Sequence, residues 1–147
     1  MSPPPPSPRP EAGSPLEDAL GRVGDRWSLL IVDALLAGPQ RFNELLDALE
    51  GLAPNVLSQR LKHLEKEAIV LSRPYSRRPL RLEYELTGIG RELAGALRLL
   101  AHWGSRASGE VHAPRHSACG TPMEARWYCP TCGRSVADDE PADLRFL

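Results

Sequence analysis

Cysteine is missing from most of this 147-residue chain: all three, Cys119, Cys129 and Cys132, lie near its end. Nothing therefore staples the first hundred residues, which must be held by an ordinary apolar core, for which 41% hydrophobic content suffices. No apolar run reaches the roughly 18 residues a membrane span needs. Residues 1–10 have no apolar stretch and no small-residue cleavage pattern, so they do not read as a secretory signal, and a cytoplasmic location is expected. Charge of one sign is also lacking. A net charge of −1 excludes a polyelectrolyte that coats nucleic acid indiscriminately and leaves only a local basic face. No Ser/His/Asp arrangement, phosphate loop or open metal site is recognisable, so an enzyme is not expected.

Residues 1–13 carry a polyproline tract and read as a disordered arm of polyproline II character. The winged-domain candidate follows over 14–108. Ser14-Pro15 reads as an N-cap with proline at the first helical position, opening a helix over 15–23 that Gly24-Asp25 breaks. Trp27, Leu30, Ile31, Ala34 and Leu35 recur at three- and four-residue steps and predict a second helix over 26–37, stopped by Gly38-Pro39. A short third helix over 43–49 and a fourth over 54–68 flank a turn at Gly51. The period then changes to strands over 69–75 and 81–86, joined by the basic link Ser76-Arg77-Arg78-Pro79. Thr87 caps a long last helix whose apolar positions include Ile89, Leu93, Leu97 and Leu100. With Ala94, Leu99, Ala101 and Trp103, that stripe is wider than one small domain needs, a patch that calls for a partner. The expected class is mainly α with a small β-hairpin wing, a winged helix-turn-helix of α+β type.

On the fourth helix, Leu57, Leu61, Leu64 and Ala68 share one face, and Asn55, Gln59, Lys62 and Lys66 lie almost opposite. Asn and Gln can bond bidentately to adenine edges, and Lys reaches guanine or phosphate, so the polar row has the chemistry of a major-groove reader of duplex DNA. Ser58 and His63 flank it. Arg60 lies nearer the apolar face and is expected to reach a phosphate or pack along its stem. Arg77 and Arg78 at the hairpin tip can enter the minor groove or straddle phosphates, with Arg73 and Arg81 as backbone clamps at its base. The rival expectation is a winged-helix module that binds another protein and not DNA.

Gly24-Asp25-Arg26-Trp27, Arg41-Phe42-Asn43-Glu44-Leu45-Leu46 and Pro54-Asn55-Val56-Leu57-Ser58-Gln59-Arg60-Leu61 together resemble the HxlR-type branch of winged helix-turn-helix regulators. The resemblance continues through Arg73-Pro74-Tyr75, Glu83-Tyr84, Leu86-Thr87 and Gly90-Arg91, covering roughly 14–106. It implies a transcription regulator, a recognition helix at 54–68 and a homodimer joined through the first and last helices. Two departures stand out. Ser14 occupies a position where such proteins commonly carry a sensor cysteine, and Gly88 and Gly90 stand where charged helix-starting residues are usual.

The segment 109–147 follows a different logic. His116-Ser-Ala-Cys119-Gly120 and Cys129-Pro-Thr-Cys132-Gly133 each place two ligand candidates around two residues and follow them with a glycine that permits a tight turn. In a reducing compartment this favours a metal over a disulfide. A small zinc-ribbon-like knuckle is expected, with His116, Cys119, Cys129 and Cys132 holding a structural Zn²⁺, and His112 is the competing imidazole. Trp127 is expected to pack against the knuckle or the main domain.

Overall fold

Ser14 opens the first helix as the Ser-Pro pair predicts. In the computed structural model, which describes residues 13–109, 113–137 and 139, its Oγ accepts the Glu17 N–H at 3.2 Å while the Glu17 carboxylate accepts the Ser14 N–H at 2.6 Å. This capping box starts α1 (Pro15–Val23). The proline-rich arm lies, up to residue 12, outside the described residues. Gly24 must be glycine, because a Cβ there would run into the Leu20 carbonyl oxygen. Asp25 then caps α2 (Arg26–Leu35), accepting the Ser28 N–H at 2.9 Å. The helix ends at Leu35 and not at 37, and Gly38, at φ +135°, turns the chain.

Next comes an element that periodicity does not reveal. Gln40–Arg41 forms β1 before α3 (Phe42–Ala48), and β1 pairs antiparallel with β3 (Leu80–Leu86). β2 (Val70–Arg77) pairs on the other side of β3, so the sheet order is β1-β3-β2. The β2–β3 register runs from Val70 opposite Leu86 to Arg77 opposite Leu80, with a shift at Tyr75. Both strands thus extend further toward the tip than expected, leaving only Arg78-Pro79 between them. Helix α4 (Pro54–Lys66) stops before the predicted 68 because Ala68 takes φ +57°, and the Ile69 N–H closes back on the Leu64 carbonyl at 2.9 Å. A left-handed residue just past the last turn is a usual way to satisfy the final carbonyls.

The chain divides into two compact units, Met1–Gly90 and Arg91–Leu147. In the first, Ile31 and Val32 of α2, Leu45 of α3, Leu57, Leu61 and Leu64 of α4, and Ile69, Val70 and Leu86 at the sheet are buried. Each such side chain contributes about 1.5–3 kcal/mol relative to exposure, and together they fix α4 against α2 and the sheet. Thr87 caps as expected: its Oγ1 accepts the Gly90 N–H at 3.1 Å and donates to the Ala68 carbonyl at 2.6 Å. Gly90 is a glycine for want of space, since a Cβ there would collide with the Ile69 carbonyl oxygen.

The single long last helix predicted from sequence is two helices, α5 (Gly88–Arg91) and α6 (Leu93–Ser105), interrupted at Glu92. On α6 only Leu97 is buried, while Leu99, Leu100 and Trp103 are exposed. Beyond residue 112 lies a two-stranded sheet of β4 (Trp127–Cys129) and β5 (Arg134–Val136). Trp127, expected to pack, is 61% exposed. Among the described residues no helix is long and apolar enough to cross a membrane.

Candidate nucleic-acid interface

Helix α4 buries Leu57, Leu61 and Leu64 and thereby turns Asn55, Gln59, Lys62 and Lys66 outward, all four exposed. None of these four has a side-chain hydrogen-bond or ion-pair partner among the described residues. Ser58 beside them is half-buried. A row of amide and ammonium groups on a helix too short of partners to be satisfied internally is available to an external ligand with alternating acceptors, which a major groove supplies.

The flanking residues sort differently from their sequence reading. His63 faces the protein: its Nε2–H donates to the Arg22 carbonyl at 2.8 Å. Arg22 in turn donates through Nε and Nη2 to the Glu67 carboxylate and carbonyl, both at 2.9 Å. His63 and Arg22 thus moor α4 to α1. Arg60 Nη1 lies 3.5 Å from the Asp25 carboxylate, and its Nε is buried without a hydrogen-bond partner. The Asp25 that caps α2 therefore also orients α4. Burial alone would raise the Asp25 carboxyl, but the Ser28 hydroxyl and N–H, followed by the Arg60 charge, outweigh it and hold the group below its ordinary value. Ser28 itself is fully buried, so this carboxylate is what satisfies its hydroxyl.

On the wing, Arg73 pairs with Glu85, Nε to Oε1 at 2.7 Å, which ties it across the sheet. Arg77, Arg78 and Arg81 are exposed and without an ion-pair partner among the described residues. Arg41 is a further basic residue of this surface, beyond those expected from the sequence. Placed by β1 at the foot of the wing, it stacks its guanidinium over the Tyr75 ring, 4.3 Å from the centroid. With Arg81 it lines a groove between α3 and the hairpin. No local sequence signal marks Arg41, because the two-residue strand that carries it exists only through pairing with β3.

The cysteine-bearing segment forms two small turns. His116 Nδ1 and Cys119 Sγ lie 3.4 Å apart, and hydrogen bonds to the Thr121 hydroxyl and backbone lower the Cys119 thiol below its ordinary value. The Cys129 thiol is lowered too, chiefly by the backbone and side chain of Cys132. None of the three cysteines is in a disulfide. Among the described residues, no three His, Cys, Asp or Glu side chains converge on one point, and His112 lies outside them.

Comparison with known proteins supplies the context. Residues 22–112 match the family described as HxlR-like helix-turn-helix. An HTH-type transcriptional regulator of Mycobacterium tuberculosis is 37% identical over 84% of this chain and 80% of its own length. Spanning that much, the match runs past the end of the family region into the cysteine-bearing segment. The regulator YvaP of Bacillus subtilis is 44% identical over 59% of this chain and 81% of its own. Among solved structures, the HTH-type regulator YtcD superposes with a TM-score of 0.63 at 31% identity, over 67% of this chain and 100% of YtcD. The redox regulator HypR in its reduced form gives 0.61 at 29%, over 65% of this chain and 94% of its own.

Proposed function

The chain belongs to the HxlR-like helix-turn-helix family and is a DNA-binding transcription regulator, not an enzyme, and we propose that it represses a nearby gene as a homodimer on a two-fold operator. The observation that carries this reading is the unpartnered row Asn55, Gln59, Lys62 and Lys66 opposite the buried leucines of α4. Lying in the major groove, α4 reads base edges with Asn55 and Gln59, Ser58 flanks them as a further DNA contact, and Lys62 and Lys66 engage guanine or phosphate. Arg77, Arg78 and Arg81 of the wing, joined by Arg41, hold the backbone. Arg60, His63 and Arg73 act through the protein, by fixing α4 and the sheet.

A single reading helix touches too few bases for selectivity, which is why a second copy is invoked. Exposed Leu16 and Leu20 on α1, and exposed Leu99, Leu100 and Trp103 on α6, are the apolar surfaces that a second copy would cover. The regulator works in the cytoplasm, on the DNA it controls. Ser14 spends its hydroxyl on the helix cap and offers no thiol, so oxidant sensing does not operate at that position. Footprinting on the upstream region together with sedimentation tests the reading: a dimer should protect two half-sites about one helical turn of DNA apart, or a multiple of it. A monomer protecting one half-site would refute it.

A further inference from the structure

The winged domain leaves the cysteine-bearing segment without a role, yet this segment repeats one local structure twice. The His116 carbonyl accepts the Gly120 N–H at 2.7 Å, and the Cys129 carbonyl accepts the Gly133 N–H at 2.9 Å. Gly120 sits at φ +72° and Gly133 at φ +66°, and a Cβ at either would meet nothing within 4 Å. Glycine is therefore demanded by the left-handed backbone, not by crowding. Each turn also ends a hairpin. The first has the His116 N–H on the Thr121 carbonyl at 2.9 Å and the Met123 N–H on the Pro114 carbonyl at 2.7 Å. The second pairs Trp127 with Val136 and Cys129 with Arg134.

Two hairpins with matching tips, each bearing two ligand atoms, are half-sites for one ion. A tetrahedral Zn²⁺ with sulfur at about 2.3 Å and nitrogen at about 2.0–2.1 Å sets those two atoms about 3.6 Å apart. His116 Nδ1 and Cys119 Sγ already lie 3.4 Å apart. We infer that His116, Cys119, Cys129 and Cys132 bind one Zn²⁺ that clamps the two hairpins together. Because the four side chains do not converge in the structure, the tips must approach each other by rotation within residues 124–126, the only link between the hairpins. Met123 and Trp127 flank that link, exposed by 42% and 61%, and closure gives them a chance to cover each other. Four protein ligands leave no open position for water or substrate, so the ion is structural. Three thiolates and one imidazole select zinc over the hard cations. This inference is independent of how α4 contacts DNA.

The test uses the full chain, purified without chelator from zinc-supplemented medium. About one zinc per chain is expected, and Co²⁺ exchanged into the site should show the intense visible bands of tetrahedral cobalt with a thiolate charge-transfer band. Cys119→Ser and Cys129→Ser, one from each turn, should each reduce bound zinc at least tenfold, and His116→Gln should weaken it, while His112→Gln should leave it unchanged. Zinc near zero in the unaltered chain, one ion per two chains, or an octahedral cobalt spectrum would each overturn the site. So would full zinc retention in Cys119→Ser, or loss in His112→Gln with retention in His116→Gln. The cobalt spectrum is read on the unaltered chain, so a variant that fails to fold leaves the test intact.

Discussion

From Val23 to Leu86 the chain buries aliphatic side chains on every helix and on the sheet, whereas between residues 113 and 137 no described residue is buried. The two regions differ in composition and so in what can hold them. The winged domain has periodic leucines that meet in one place, so its shape follows from transfer of apolar surface out of water. The terminal segment spends its residues on prolines, glycines, charges and cysteines, and a stretch so short cannot enclose a core of its own. What it has in place of a core is a repeated turn with ligand atoms at fixed spacing. The zinc ion proposed above would supply stability there as a point-like interaction.

This contrast can be broken most forcefully at Leu61. Leu61→Ala removes a side chain only 2% exposed and should cost about 2–5 kcal/mol in chemical denaturation. Trp127→Ala, in the other region, should leave that same transition within about 0.5 kcal/mol. Equal losses would mean that the two regions share one core. Chelation sharpens the comparison from the opposite side: it should open residues beyond about 110 to protease while the melting of the winged domain stays put. A chelator that unfolds both regions together would show that the winged domain depends on the ion.

The smallest effect is expected at Asp25. Its carboxyl is held below the ordinary value in the fold, so the stability it confers is complete above about pH 4, the unfolded range, and is lost as pH falls through the lower folded value. Asp25→Asn keeps a capping side chain but should flatten that acid limb in pH-dependent denaturation. An unaltered limb would remove Asp25 from the account of how α2 and α4 are tied.

Much of the winged domain was legible because its signals are local. Ser14-Pro15, Gly24-Asp25 and the Leu57, Leu61, Leu64 spacing each declare an element within a few residues. β1 was not legible, since Gln40–Arg41 is too short for an alternating pattern and exists only through its pairing with β3, some forty residues away. The break at Glu92 was hidden for a related reason. Gly88 and Gly90 hinted at a weak helix start, but the need for glycine at 90 comes from the distant Ile69 carbonyl. Within the site, the types of residue were readable and their allegiances were not. His63 and Arg73 look identical in sequence to solvent-facing groups until Arg22 and Glu85 are brought beside them, and Arg60, readable as nearer the apolar face, gives no local sign of its partner Asp25.

The claim on which the account rests is that α4 reads bases while the wing grips the backbone. Selection of bound duplexes from a randomised pool, repeated across salt concentrations for the unaltered chain, Gln59→Ala and Arg78→Ala, tests it most directly. The unaltered chain should select a two-fold motif, Gln59→Ala should relax one base position per half-site by about 1–3 kcal/mol, and Arg78→Ala should keep the motif with a salt slope lowered by about one for each lost phosphate contact. A motif indifferent to Gln59→Ala, or one that Arg78→Ala rewrites, would contradict it.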